Sequence, residues 1–546
     1  MLLDDLPEGI LATVLGMCVD YRCSWAYEFR RSLLLLAVCQ KWRRLAIPLV
    51  YNLVYVKYGG RPRRRTGQFA RDAKAEEAAG VSVTTNLDLI AMVGCASVVK
   101  DVTIDVRYLA TPFSEWREVI QRMRAVAGEW RVTKLAVAMY PDIVHYDDRN
   151  VDMAKYADDV ASVSDALAAL MPDVFGLRLD WNCNNQIASS LYGRLVGHYA
   201  DQLLQLNSPN SIVVEPDRQL TTLQNVWMSC NNDASYHFPR MASGELIGMT
   251  LNSGSSNHSW LPFSTSSDSR VIEFTKLIKL KVEYHTTYRE GGVAVHHRDG
   301  SPWELQFPSI KCLSIDSTQS TCPLLKYAVL PPRVESIYLC MRSDAYLDIA
   351  DVELPATRHL YLAIAESSFG DPRGLFAINR IMENARGSES LELRIRDVGL
   401  AMEPDSITCT ALTHLSISAP TSVDSMLAFI GRLTNLIGLT ICDLDLGDIR
   451  TDMSLPAADD DAVVVPYNTP LKELTINYDG SQHSPGAAVA VAKHVLLRVL
   501  ALTKLHAAQI PMSPMLDFVE AYAPRYPHLR GTEMKLYKDR DARKMK

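Results

Sequence analysis

A short apolar pattern returns along most of the chain from about residue 99, and it constrains the fold more than any other feature. Each instance has two apolar residues separated by one residue, with a third apolar residue three positions upstream, as in VTKLAV, LIKLKV, VESIYL and LTHLSI. Such alternation is typical of a β-strand with one buried face. The central apolar residues of the instances are Val102, Leu135, Leu177, Val226, Met249, Leu280, Leu313, Ile337, Leu360, Leu391, Leu415, Leu439, Leu474 and Leu500.

The spacing of these central residues indicates how the strands are connected. Most gaps are 23 to 35 residues, the length expected when each strand is followed by a turn and a helix or coil that returns to the start of the next strand. The segments SDSRVIEFTKLIKL and SMLAFIGRLTNL also have helix-like spacing just before strands. The pattern predicts parallel strands stacked as a solenoid. An ordinary α/β domain with parallel strands is the competing interpretation, since gaps of 42 and 49 residues also occur.

The first 56 residues have a different, helical pattern. Asp4 or Asp5 can cap a first helix that carries Pro7 in its first turn, and the apolar side of this helix holds Ile10, Leu11, Val14, Leu15 and Cys18. A second helix has a stripe formed by Leu35, Val38, Trp42 and Leu45, and Pro48 limits it. Two short helices cannot bury all of this apolar surface against each other, so a partner or a following domain is expected to cover the rest. A plain N-terminal cap is the alternative.

These residues resemble a known family. The order LPEGIL, then VL, then SLLLLAVCQKWRRLAIPLVY is similar to the F-box over about residues 5 to 56, including Leu49 and Tyr51. The resemblance implies binding to the Skp-type adaptor of a cullin-RING ubiquitin ligase, as an apolar helix surface in a groove. The adaptor-binding residues that it implies are Leu6, Pro7, Ile10, Leu11, Val38, Cys39, Trp42 and Leu45. The segment 16–32 between the helices is longer than is usual in the family.

The repeated strand unit is similar to the leucine-rich repeat, in the irregular form often found behind an F-box. Asn182 and Asn231 stand where this repeat class often places an asparagine. The fold class expected is therefore α/β: a small helical F-box-like domain, then an irregular leucine-rich-repeat solenoid with a curved parallel sheet. The predicted divisions are an F-box-like domain at 1–56, a charged linker at 57–84, the solenoid at 85–530 and a basic tail at 531–546.

Composition argues against several other classes of function. The net charge of -7 is small for 546 residues, so no overall field favours nucleic acid or a membrane surface. The eleven scattered cysteines have no zinc spacing and indicate a reducing compartment, and the acidic N-terminus does not resemble a signal peptide. No phosphate-binding loop, dinucleotide fingerprint, nucleophile elbow or metalloprotease motif is found. We therefore expect no catalytic residues, no metal and no cofactor, and a cytoplasmic or nuclear location without a membrane span.

The function expected from these features is that of a substrate-recognition subunit of a Skp-cullin-F-box type ubiquitin ligase, which is not itself an enzyme. The N-terminal helices would bind the adaptor and the ligase core, and the solenoid would bind a target protein whose identity the sequence does not reveal. One alternative is a leucine-rich-repeat interaction scaffold without a ligase role. Another is a hydrolase or nucleic-acid-binding protein, which would need a polar pocket or a basic surface around Arg61 to Arg65.

Overall fold

The structure is a computed structural model with α/β architecture, and its strands form large parallel sheets. It describes residues 6–18, 33–59, 82–107, 112–140, 153–180, 186–208, 219–229, 240–241, 243–253, 271–284, 304–317, 324–341, 346, 349, 352–364, 380–381, 387–395, 407, 411–445, 470–476, 507–510 and 533–536. The chain divides into two compact units. The N-terminal unit contains residues 1–252 and 262–267, and the C-terminal unit contains residues 253–261 and 268–546.

In the N-terminal unit, strands and helices alternate along the chain from residue 82 to residue 208. Its described helices are α1 (Glu8–Cys18), α2 (Gln40–Val50), α3 (Leu87–Val93), α4 (Pro112–Val126), α5 (Met153–Leu170) and α6 (Gln186–Tyr199). Its strands are β1 (Leu53–Gly59), β2 (Ser82–Thr85), β3 (Asp101–Arg107), β4 (Lys134–Tyr140), β5 (Gly176–Asp180), β6 (Gln205–Ser208), β7 (Gln219–Leu220), β8 (Asn225–Ser229), β9 (Arg240–Met241) and β10 (Gly248–Ser253). Helices α4, α5 and α6 pack in series and connect β3, β4, β5 and β6.

The main sheet of this unit follows chain order. Strand β1 pairs antiparallel with β2 and parallel with β3, and β3, β4, β5, β6, β8 and β10 continue as consecutive parallel pairs. One row of directly opposed residues crosses all the parallel strands and is buried: Val54, Val102, Leu135, Leu177, Leu206, Val226 and Met249. Parallel pairing with equal registers lets these apolar side chains form one continuous core.

The C-terminal unit repeats this arrangement with more strands. Its strands are β11 (Val271–Glu273), β12 (Lys279–Tyr284), β13 (Glu304–Gln306), β14 (Cys312–Ser317), β15 (Ala328–Val329), β16 (Arg333–Met341), β17 (Ala356–Ile364), β18 (Ser390–Ile395), β19 (His414–Ser422), β20 (Gly438–Asp445), β21 (Glu473–Ile476), β22 (Ala507–Ile510) and β23 (Glu533–Leu536). Its described helices are the single turn α7 (Leu324–Tyr327) and α8 (Val423–Arg432). Strands β11, β13 and β15 form a separate small parallel sheet beside stacked rings of Phe274 and Phe307.

The large sheet of the C-terminal unit also runs in chain order, with every pair parallel, from β12 through β14, β16 and onward to β23. Its buried row consists of Leu280, Leu313, Ile337, Leu360, Leu391, Leu415, Leu439 and Leu474. Every central residue predicted from the sequence within the described ranges therefore occupies this equivalent, buried position in one of the two units. Leu500, Asn182 and Asn231 lie outside the described residues.

Two local expectations differ from the structure. The 49-residue gap between Leu177 and Val226 contains an additional strand, β6. The second inward residue of β6 is the buried Ser208, so this strand lacks the pair of apolar residues that marks the others. The segment before β12 forms the short strand β11 and a turn where helix-like spacing was expected, whereas α8 is a helix as expected. The predicted domain divisions stay predictions; strand β1 crosses the division between residues 56 and 57, and β23 lies within 531–546.

Candidate docking surface on the N-terminal helices

The first helix and the second helix pack through their small and branched apolar residues. Helix α1 begins at Glu8, directly after Pro7, whose carbonyl accepts the first intrahelical bond from the Leu11 amide at 2.9 Å. Leu11 and Leu15 of α1 are completely buried, and so are Ala46 and Val50 of α2. The residues expected on the apolar side of α1 therefore have two different environments. Leu11 and Leu15 form the core of the helix pair, whereas Ile10 is exposed.

The second helical element differs from the expected single helix, because it is broken in the middle. A short 3-10 turn covers Leu34–Ala37, the backbone then becomes extended at Cys39, and α2 begins at Gln40. The Cys39 thiol accepts a hydrogen bond from the Trp42 amide at 3.5 Å, which satisfies one of the free N–H groups at the start of α2. The break leaves Val38 at the junction, with 56% of its surface exposed.

The prediction that Pro48 limits the second helix was wrong. Helix α2 continues through Pro48 to Val50, and the Tyr51 amide still bonds to the Ile47 carbonyl at 3.0 Å. Proline removes the one amide that would bond four residues back. Because this position lies in the last turn of the helix, the remaining bonds and the buried Val50 suffice to keep the turn helical.

Polar contacts fix the helices relative to each other at the edge of this surface. Arg44 of α2 forms an ion pair with Glu8 at the start of α1, and the Lys41 ammonium donates to the Leu6 carbonyl at 3.1 Å. Arg43 donates to the Leu36 carbonyl at 2.9 Å, which holds the 3-10 turn against α2. These basic residues therefore have structural partners within the helical region.

The predicted adaptor-binding residues are not equally accessible. Pro7, Ile10 and Val38 are exposed, with Ile10 at 53%. Leu6, Cys39, Trp42 and Leu45 are half-buried, and Leu11 is completely buried, so in this structure Leu11 acts through packing of the helix pair. Sequence reasoning did not single out Leu34, which is 66% exposed. The run of four consecutive leucines at 33–36 could have indicated an exposed leucine, because a single helical turn cannot bury all of its sides.

Burial favours the neutral forms of two titratable groups, Tyr51 at the end of α2 and its neighbour Cys95. Burial raises the pKa of the Tyr51 phenol at the end of α2, and the neighbouring Cys95 raises this pKa further. Burial likewise raises the pKa of the Cys95 thiol, so this cysteine is not an activated nucleophile. Among the residues that the structure describes, no group of three His, Cys, Asp or Glu side chains is placed to hold a metal ion.

Fold and surface together define a class: an α/β protein with parallel sheets in chain order, preceded by a helix pair that exposes apolar side chains. Comparison with known proteins adds no family, because no family model matches the chain and no curated protein matches it in sequence. In the described part of the chain, none of the helices has the length and apolar character needed to cross a membrane.

Proposed function

We propose that this chain is the substrate-recognition subunit of a Skp-cullin-F-box type ubiquitin ligase. The observation that carries the proposal is the exposure of Pro7, Ile10 and Val38, at positions that resemble the F-box signature, on a helix pair whose core is already filled by other residues. Contiguous exposed apolar patches are typical of protein-docking surfaces, and these three residues lie on adjacent elements. Their proposed partner is the apolar groove of the Skp-type adaptor.

In this proposal the two sheets are stretches of leucine-rich-repeat-like solenoid. Strands in chain order, parallel pairing and the equal registers of the buried leucines support it. The face of each strand opposite the buried row would bind a target protein. The chain would do no chemistry of its own and would act by holding the target close to a ubiquitin-charged enzyme, which raises the effective concentration of the target lysine.

The proposal is tested by binding of the purified full chain to the Skp-type adaptor. In an Ile10→Asp, Val38→Asp double variant, both changes are on exposed side chains, so the helix pair should fold as before. Each replaced side chain contributes about 1.5–3 kcal/mol when buried at an interface, so we expect the dissociation constant to rise by about 100-fold or more. Met92→Asp is the matched control, since Met92 is an apolar residue of α3 in the same unit and is 84% exposed.

The outcomes separate the possible roles. Binding by the wild-type chain and by Met92→Asp, with loss in the double variant, supports the proposed surface. Equal binding by all three proteins would mean that the adaptor docks elsewhere.

A second candidate is an interaction scaffold without a ligase role. The long segment 16–32, whose first three residues belong to α1, favours it, because the apolar residues of α1 and α2 are separated by more chain than is usual in F-boxes. Its signature in the same experiment is a well-folded wild-type chain, checked by circular dichroism, that does not bind the adaptor at all.

A further inference from the structure

The outward face of the C-terminal sheet carries an ordered stack of side chains. Tyr338 of β16 and Tyr361 of β17 are directly opposed, and their rings are nearly parallel, with centroids 4.0 Å apart. The guanidinium of Arg394 on β18 covers the other side of Tyr361, 5.5 Å from the ring centroid. Glu392 on the same strand holds this guanidinium at 2.9 Å. Tyr361 is thus enclosed between a ring and a cation.

Within the part of the chain that the structure describes, the stack is closed at the Arg394 end and open at the other. The second side of the Tyr338 ring is directed toward β14, where the directly opposed residue is Ser314. Beyond Ser314, the next residue in the row is Lys281 of β12. Strands in a sheet are about 4.8 Å apart, so Tyr338 and Lys281 are separated by roughly 10 Å, and Ser314 is the residue between them in this row of described residues. This slot over Ser314 has room for one flat group against the ring.

Charges around the slot are unequal. Glu392 is paired with Arg394, and Lys281 is paired with Glu283 at 2.5 Å. Asp316 is half-buried beside the slot, two residues along β14 from Ser314, and no cation among the described residues forms an ion pair with it. Burial raises the pKa of Tyr338 most, a hydrogen bond with Tyr361 raises it further, and Asp316 also contributes, so the phenol stays neutral. Asp316 is therefore the acidic group beside the slot that has no ion-pair partner among the described residues.

We propose that the slot over Ser314 binds an arginine side chain of a partner protein. Its guanidinium would stack on the open side of Tyr338, and the carboxylate of Asp316 would accept its N–H groups. The same arrangement already exists within the chain at the other end of the stack, where Arg394 covers Tyr361 and is held by Glu392. Arginine fits better than lysine because its planar group both stacks on a ring and forms paired hydrogen bonds with a carboxylate.

The geometry favours a protein over a small molecule. Small ligands are usually bound in concave pockets that cover most of their surface, whereas this slot lies on the outward face of a sheet. Tyrosine and arginine are also the residues most often found at the energetic centres of protein interfaces. The inference rests on the proposed use of this face for target binding, and it adds the chemistry of the target.

The test uses the full chain and a short glycine–serine peptide with one central arginine, titrated by saturation-transfer NMR. Matched peptides carry lysine or citrulline, which keeps the planar shape of arginine without its charge. We expect the arginine peptide to bind about 5-fold more tightly than the lysine peptide and about 10-fold more tightly than the citrulline peptide. Equal affinities for the three peptides, including no binding of any, would overturn the proposal.

Variants of the chain identify the slot. Asp316→Asn and Tyr338→Ala should each weaken binding of the arginine peptide about 5- to 30-fold, whereas Tyr338→Phe keeps the ring and most of the affinity. Ser314→Leu fills the slot and should abolish binding. The control is Ser416→Leu. Ser416 of β19 lies on the same face and in the same row, directly opposite Glu392 of β18 and away from the slot. Unchanged binding by Ser314→Leu would contradict the proposed position.

This experiment fails independently of the adaptor experiment. Adaptor binding without selection of the arginine peptide would leave the ligase proposal standing and overturn only the arginine site. Selection of the arginine peptide without adaptor binding would support the arginine site and remove the ligase role.

Discussion

The hydroxyl of Tyr346 offers the sharpest test of how the C-terminal sheet is held together. Tyr346 is completely buried beside β16 and β17. Its oxygen lies 2.9 Å from the Leu339 carbonyl and 2.8 Å from the Ala363 carbonyl, and it accepts a hydrogen bond from the Ala363 amide at 3.1 Å. One hydroxyl hydrogen can serve one carbonyl at a time, so this group joins the two strands by one donated and one accepted bond.

Replacing Tyr346 by Phe keeps the ring and removes both bonds. The Ala363 amide and one carbonyl are then left buried without their partner, and each unsatisfied group costs about 1–3 kcal/mol before relaxation. We expect the free energy of unfolding of the C-terminal unit to fall by about 2 kcal/mol. Urea unfolding followed by pulsed hydrogen exchange measures this loss on peptides from β16 and β17, separately from the N-terminal unit.

Tyr199 in α6 provides a control in which the same substitution should have the opposite sign. It is 2% exposed, but its buried hydroxyl has no hydrogen-bond partner among the described residues. Tyr199→Phe removes a polar atom that has lost its hydration without compensation, so we expect no loss, or a gain of about 1 kcal/mol. If Tyr346→Phe costs less than about 0.5 kcal/mol, or no more than Tyr199→Phe, the argument from hydrogen bonding is refuted.

Further predictions concern single residues of the core, a cap and a carboxylate. Asn86→Ala should cost about 2 kcal/mol in urea unfolding, because its side chain makes two bonds of 2.8 Å to the backbone of β1. Ile337→Ala should cost about 2–5 kcal/mol, since Ile337 is completely buried in the row of leucines, and hydrogen exchange of β16 should speed up accordingly. Cys39→Ala should destabilise α2 by about 1 kcal/mol while Cys39→Ser retains the cap, as measured by thermal unfolding. Burial raises the pKa of Asp101, although the neighbouring Lys134 and Lys100 partly lower it. The native state therefore keeps the proton to a higher pH than the unfolded state, and stability falls as pH rises above the usual carboxyl pKa. Asp101→Asn should thus gain stability relative to wild type as the pH rises above about 4, as measured in parallel urea titrations.

The strand positions could be predicted because burial on one face imposes alternation, and a repeated connection imposes a spacing. Where a buried position is polar, as at Ser208, the alternation disappears from the sequence and the strand β6 was missed. The spacing of apolar residues also cannot identify very short strands. Residues 271–273 alternate over too few positions to be distinguished from one turn of a helix.

The N-terminal helices could be predicted in outline only. Apolar periodicity shows that two elements are helical, but it does not show which of two apolar sides is buried, so Leu11 and Ile10 looked equivalent. The break at Cys39 depends on a thiol acting as a cap, which the usual preference for Ser, Thr, Asp or Asn does not signal. The stack of Tyr338 and Tyr361 needs the exact register of β16 and β17, which only the structure supplies.

Pairing in chain order has a consequence for how the chain forms its sheets. In every described pair, the two partner residues are between 20 and 48 positions apart, from Gln205 and Asn225 to Leu53 and Asp101. Each new strand can therefore add to an edge that already exists, with a short loop to close. During synthesis, the sheets can grow as the polypeptide emerges from the ribosome, because none of these strands has to wait for a distant partner, and each added strand covers an exposed edge of the strand that it joins.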